Sequence, residues 1–121
     1  MANLSSIARP YALAAFECAR DTKQLSEWKA FLESAALITR NDSVAMLLDN
    51  PEISSNKLFG LYQDVLSSQL NPARKNFLQL LAQNNRFSVL SEISEAYNTL
   101  YATLEKSSNV RLVTAIEAEQ A

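Results

Sequence analysis

Residues 71–87 read Asn71-Pro72-Ala73-Arg74-Lys75-Asn76-Phe77-Leu78-Gln79-Leu80-Leu81-Ala82-Gln83-Asn84-Asn85-Arg86-Phe87. Asparagine followed by proline marks a helix opening. The Asn side chain caps free N–H groups, and proline at the first helical position gives up an N–H that has no intrahelical partner. Phe77, Leu78, Leu80, Leu81 and Ala82 then carry the helical period. Asn84-Asn85 ends the run, because asparagine tolerates the left-handed backbone that commonly closes a helix. One helix with both ends marked sets the pattern for the rest of the chain.

Downstream, about Val89 to Lys106 forms a sixth helix that buries Leu90, Ile93, Tyr97, Leu100, Tyr101 and Leu104. Upstream, about Asn56 to Gln69 forms a fourth, with Leu58, Phe59, Leu61, Tyr62, Val65 and Leu66 as its apolar set. A short third helix spans Ser43 to Leu48, with Asp42 read as its N-cap and Asn50-Pro51 as its stop. The second covers about Lys23 to Arg40, and the first about Ser6 to Arg20 with Pro10 in its opening turns. After Lys106 the period fails at Ser107-Ser108-Asn109, and Val110 to Ile116 reads as a strand. The expectation is a compact all-α six-helix bundle over residues 1–106. Residues 107–121 are expected to be a non-helical tail, a linker and the first strand of a further, truncated domain.

Composition agrees with a helical bundle. The 121 residues hold one Gly and three Pro, too few for the many turns of an all-β fold, and are 48% hydrophobic and 20% charged. Net charge is −2, with eleven Lys and Arg scattered so that Arg74-Lys75 is the only adjacent pair. A nucleic-acid binder needs a basic stripe to displace phosphate counterions, so no nucleic-acid partner is expected. No apolar run is long enough for a membrane span, and no basic-then-apolar opening suggests a secretory signal. The lone Cys18 cannot form an internal disulfide, which suits a reducing compartment.

Catalysis has little to work with. There is no histidine, so Cys18 has no imidazole to activate it and the common metal sites lose their usual ligand. Glu92 and Glu95 at i,i+3 read as a solvated helix face rather than a paired-carboxylate site. No enzyme activity, cofactor or metal is expected.

Two helices carry more apolar surface than one core contact needs. At roughly 100° per residue, Ile7, Ala8, Tyr11, Ala12, Ala14, Ala15, Phe16, Cys18 and Ala19 fan across roughly 200° of the first helix. The fifth repeats the excess with Ala73, Phe77, Leu78, Leu80, Leu81 and Ala82. Either both helices are central, or each meets the core with one edge and a partner with the other. On the second reading, Ile7, Tyr11, Ala14 and Cys18 face outward with Asn76, Phe77 and Leu80. Ala12, Phe16, Leu78 and Leu81 then face the core. Arg9 and Arg86 read as solvated, and Trp28 as core.

The segment Ala8-Arg9-Pro10-Tyr11-Ala12, followed by Ala14-Ala15-Phe16, resembles the N-terminal signature of the ATP synthase delta subunit family, whose mitochondrial member is the oligomycin-sensitivity-conferring protein. The run Phe77 to Phe87 resembles the same family's second landmark, which usually reads Asn-Gly-Arg where this chain has Asn84-Asn85-Arg86. Trp28 also falls where bacterial members commonly carry tryptophan. Asparagine is the next best residue for positive φ, so the turn at Asn85 should be kept.

The resemblance implies a non-catalytic stator subunit. Its N-terminal helical domain would bind the amphipathic N-terminal helix of an alpha subunit between the first and fifth helices and hold the catalytic head against rotor torque. Contact with the peripheral-stalk b subunit would fall mainly to the domain beyond residue 106. The location implied is the cytoplasmic side of the bacterial inner membrane, held peripherally by the complex without direct insertion. Two other readings compete. A generic adaptor for another amphipathic helix explains the surface but not the paired motifs. An RNA-binding bundle of the antitermination type needs an Arg-rich opening, whereas Arg9 is the only Arg before Arg20.

Overall fold

The structure, a computed structural model, describes residues 4–120, with the side chains of residues 4–106. Six α-helices occur among the described residues: α1 (Leu4–Asp21), α2 (Leu25–Arg40), α3 (Asp42–Asp49), α4 (Ser55–Val65), α5 (Pro72–Gln83) and α6 (Leu90–Gln120). The all-α expectation holds, and no strand occurs among these residues. Single 3-10 turns at Ser67–Gln69 and Phe87–Val89 follow α4 and lead into α6.

The caps explain most boundaries. Asn71 Oδ1 accepts from the Arg74 N–H at 2.8 Å, with Pro72 opening α5 as expected. Ser54 caps α4 through the Lys57 N–H at 3.2 Å. For α3 the cap is Asn41, not Asp42: Asn41 Oδ1 takes the N–H groups of Ser43 and Val44, and Asp42 is the first helical residue. Asn41 has the extended backbone a cap requires (φ −63°, ψ 133°), and the acidic Asp42 then sits favourably in the first turn.

The C-terminal ends of α1 and α5 use the same device. Asn85 has φ 56°, Arg86 N–H reaches Leu81 C=O at 2.8 Å, and Asn85 N–H reaches Ala82 C=O at 3.2 Å. This is a Schellman closure of α5. Lys23, with φ 57°, closes α1 in the same way through Gln24 N–H to Ala19 C=O and Lys23 N–H to Arg20 C=O. The expected start of α2 at Lys23 therefore moves to Leu25. Because α1 begins at Leu4, Pro10 lies in its second turn, where it removes the bond to the Ser6 carbonyl; both residues are exposed, so water can take that carbonyl.

The non-helical tail is a correction. α6 continues through Gln120 and takes in Val110 to Ile116, read from the sequence as a strand. A strand without a neighbour leaves its backbone groups unpaired, whereas a helix satisfies its own. The expected domain boundary at residue 107 depends on side-chain packing that lies outside the described residues.

The core is built on aromatic and small residues. Ala8, Ala12, Ala15 and Ala19 form a fully buried stripe along α1, and α1 packs most extensively against α6. Small side chains permit that close approach, and Phe16 meets Tyr97 of α6 edge-on at 5.8 Å. α2 also packs on α6, while α5 pairs chiefly with α4. Trp28 and Phe31 of α2 enclose Phe77 of α5 in edge-to-face contacts at 5.5 and 6.5 Å. Tyr62 of α4 stacks flat on Phe87 at 4.2 Å and exchanges a 2.6 Å hydrogen bond with Thr39.

Candidate partner-binding surface

Tyr11 of α1 and Asn84 at the end of α5 link the two helices. α1 rests mainly on α6 and α2, and α5 mainly on α4, so the two helices are held by other neighbours rather than by broad contact with each other. The link is a hydrogen bond that Asn84 Nδ2 donates to the Tyr11 hydroxyl at 3.0 Å.

On α1, Ala14 is exposed, while Ile7, Tyr11 and Cys18 are half-buried and rest on the core with one side. On α5, Asn76 is exposed and Leu80 is 41% exposed, one of several large apolar residues at the surface of the bundle. Ala73 lies beside them, half-buried against the core. The residues expected inside are inside: Ala12, Leu78 and Leu81 are fully buried and Phe16 nearly so.

Phe77 departs from the expectation. It is only 7% exposed, and its ring belongs to the Trp28–Phe31 cluster. It supports the α5 edge from beneath and presents almost no surface of its own. Leu80, roughly 60° away around the helix, is the apolar residue that reaches out.

Two residues of this region escaped the sequence reading. Asn84 was read only as a cap, yet its side chain makes the inter-helix bond. Arg74 is 9% exposed, with its guanidinium 6.0 Å from the Trp28 ring centre. Its Nε is buried without a hydrogen-bond partner, and the guanidinium lies at the outer limit of cation–π range from the indole. Nothing in the sequence separates Arg74 from an ordinary exposed first-turn residue. Nearby, the Ser26 hydroxyl, 2.9 Å from Glu27 Oε1, holds that exposed carboxyl below its usual value, with Arg74 a smaller influence.

Arg9 and Arg86 are exposed, as read. Among the described residues no group of three or more His, Cys, Asp or Glu could hold a metal, and no helix is long and apolar enough to cross a membrane. What the geometry offers is a surface of small and apolar side chains on two helices, with polar groups at its end.

The class the described residues define is an all-α six-helix bundle. The sequence matches the ATP synthase delta (OSCP) subunit family over residues 7–121. It is 39% identical to the ATP synthase subunit delta of Teredinibacter turnerae over 121 residues, covering 100% of this chain and 68% of that protein. With the ATP synthase subunit delta of Hydrogenovibrio crunogenus the identity is 37% over 118 residues, covering 98% and 66%. With that of Hahella chejuensis it is 41% over 105 residues, covering 87% and 59%. The chain belongs to the ATP synthase delta (OSCP) subunit family, and it spans about two thirds of the length of the relatives it matches.

Proposed function

We propose that this chain is the head-binding part of a non-catalytic stator subunit of an F-type ATP synthase. Its outer α1–α5 edge receives the amphipathic N-terminal helix of an alpha subunit. The observation that carries this reading is the hydrogen bond tying Asn84 at the end of α5, the helix of exposed Leu80, to Tyr11 of α1, the helix of exposed Ala14 and half-buried Ile7 and Cys18. Small Ala14 and Cys18 let a helix approach closely, Leu80 and the Tyr11 ring supply anchors, and the Asn84 and Asn76 amides border them.

The role is mechanical. A helix held here ties the catalytic head to the peripheral stalk, so rotor torque drives conformational change instead of turning the head. Contact with the stalk's b subunit falls to the portion of the protein after the bundle, and the location is peripheral, on the cytoplasmic side of the bacterial inner membrane.

The test is titration of the chain with a synthetic alpha-subunit N-terminal peptide, followed by amide chemical shifts. Perturbation centred on Ile7, Tyr11, Ala14, Cys18, Asn76 and Leu80 is the expected result. Shifts confined to α2, α3 or α4, or none at millimolar peptide, would sink the assignment.

A further inference from the structure

A second amide hydrogen bond ties α5 at its other end. Asn71 Nδ2 donates to Gln24 Oε1 at 3.2 Å, in a partly buried position. Gln24 follows α1 in the chain and Asn71 opens α5, whereas the Asn84–Tyr11 bond joins the end of α5 to the middle of α1. α1 and α5 therefore run antiparallel, with one tie at each end of α5. The ties are also matched in spacing: Tyr11 and Gln24 are thirteen positions apart, and so are Asn71 and Asn84. Along α5 that separation is about 20 Å, at a rise of about 1.5 Å per residue.

The Gln24 side chain has no other task. Its backbone is committed, since the N–H closes α1 on Ala19 C=O at 2.7 Å and the C=O accepts from the Trp28 N–H at 2.9 Å to open α2. Gln24 stands at the N-cap of α2, yet its side chain makes no capping bond. A backbone fixed by two helices thus carries a side-chain amide out to α5. Asn71 divides its own amide in a complementary way: Oδ1 caps α5 through the Arg74 N–H at 2.8 Å, and Nδ2 is left for Gln24. Phe77 holds the middle of α5 on Trp28 and Phe31, and Asn84 holds its end; the Gln24 bond fastens the first turn.

We propose that Gln24 is a positioning residue: through Asn71 it holds the opening turns of α5 at a fixed angle to α1, and so keeps Asn76 and Leu80 in line with Tyr11. The consequence for binding rests on the α1–α5 reading; the angle is a property of the free chain. Water replaces a lost partner at little cost in stability, but it does not restore the alignment.

Three variants of the 121-residue chain test this. Gln24→Met keeps the length of the side chain and removes the acceptor. Asn71→Ser keeps a capping oxygen for α5 but is too short to reach Gln24. Gln24→Glu keeps the acceptor, and its charge suits the first turn of α2. In the free, isotopically labelled chain, residual dipolar couplings should show α5 reoriented against α1 in Gln24→Met and Asn71→Ser, and unmoved in Gln24→Glu. The first two should bind the alpha-subunit N-terminal peptide roughly threefold to tenfold more weakly, the range one ordinary hydrogen bond supplies, while Gln24→Glu binds like the parent. Asn41→Ala, which loses the α3 cap, should lower the thermal midpoint and leave the peptide affinity unchanged. Unchanged couplings in Gln24→Met overturn the proposal, as does parent-like affinity in Gln24→Met or Asn71→Ser. A Gln24→Glu variant as impaired as Gln24→Met overturns it too, because the acceptor would then not be what acts. Equal weakening by Asn41→Ala would assign the effect to lost stability and has the same consequence. Should the parent itself bind no peptide, the α1–α5 reading fails, while the couplings still decide whether Gln24 sets the angle of α5.

Discussion

The Asn84 side-chain amide donates a 3.0 Å hydrogen bond to the Tyr11 hydroxyl and so joins the end of α5 to the middle of α1. The bond is solvent-exposed, and its worth lies in position more than in energy. It links the two helix edges on which the proposed partner rests.

Substitution at this pair separates ring from hydroxyl. Tyr11→Phe and Asn84→Ala should each change folding stability by no more than about 1 kcal/mol, because water replaces the lost partner at an exposed site. Tyr11→Ala should weaken alpha-subunit peptide binding by about 2 kcal/mol or more, roughly thirtyfold, while costing only a small part of folding stability since the ring is half-exposed. Calorimetric titration paired with urea unfolding reads both quantities. If Tyr11→Ala melts the domain yet the folded fraction keeps its affinity, Tyr11 is a core residue and the surface is wrongly drawn.

Neighbouring positions on α5 should diverge sharply. Phe77 is enclosed by Trp28 and Phe31, so Phe77→Ala should cost about 3–5 kcal/mol of stability, and fully buried Leu81→Ala about 2–5 kcal/mol. Leu80→Ala, at 41% exposure, should cost much less and act mainly on peptide affinity. Trp28 is the only tryptophan, so its fluorescence reports unfolding of this cluster directly. A Leu80→Ala variant as unstable as Leu81→Ala would contradict the exposures.

How much of this was readable in advance depended on range. Asn71-Pro72 and Asn84-Asn85 declared the ends of α5 because capping and left-handed closure are local chemistry. The helical wheel put Ala12 and Phe16 of α1 inside, where the structure has them, since which face of a helix is buried needs only periodicity. Phe77 was misplaced because its direction is decided by Trp28 and Phe31, more than forty residues earlier in the chain, and a wheel carries no such information. Lys23 at φ 57° was missed because lysine has no local preference for that conformation; the Gln24–Ala19 closure imposes it. Val110 to Ile116 looked like a strand by β-branched content, a weaker guide than the backbone's need for partners.

Alkaline pH should weaken the fold through its buried phenols. Burial raises Tyr62 from its ordinary 10.0 to about 12, with the Thr39 hydrogen bond acting in the opposite sense. Burial raises Tyr97 as well, aided by Tyr101 and Glu27. In the unfolded chain these hydroxyls ionise near pH 10, while the folded protein still holds their protons. Stability is therefore fully present below pH 10 and falls as pH rises through about 12. Tyr62→Phe should cost about 1 kcal/mol at neutral pH for the lost Thr39 bond and should flatten the decline above pH 10. Urea midpoints between pH 8 and 11.5 would measure it, and an unchanged slope in Tyr62→Phe would exclude Tyr62 as the source.

The last expectation concerns Asn85, which stands where the family usually has glycine. Its φ of 56° is a region where a β-carbon is crowded, and asparagine is among the few side chains that enter it readily. Asn85→Gly removes that crowding but frees the unfolded backbone, and it gives up the exposed 3.2 Å contact between Ser55 Oγ and Asn85 Oδ1. These effects oppose each other, so the net change should lie within about 1 kcal/mol of zero. Asn85→Val has no such balance. A β-branched residue at positive φ is strained, and the substitution should cost about 1–3 kcal/mol even though the side chain is exposed. Because the same turn carries Asn84 to Tyr11, Asn85→Val should also weaken alpha-subunit peptide binding, whereas Asn85→Gly should leave it intact. Measured together by chemical unfolding and peptide titration, the two variants discriminate between backbone geometry and side-chain chemistry. Were valine as well tolerated as glycine in both assays, the left-handed turn would have no part in ending α5 or in placing Asn84.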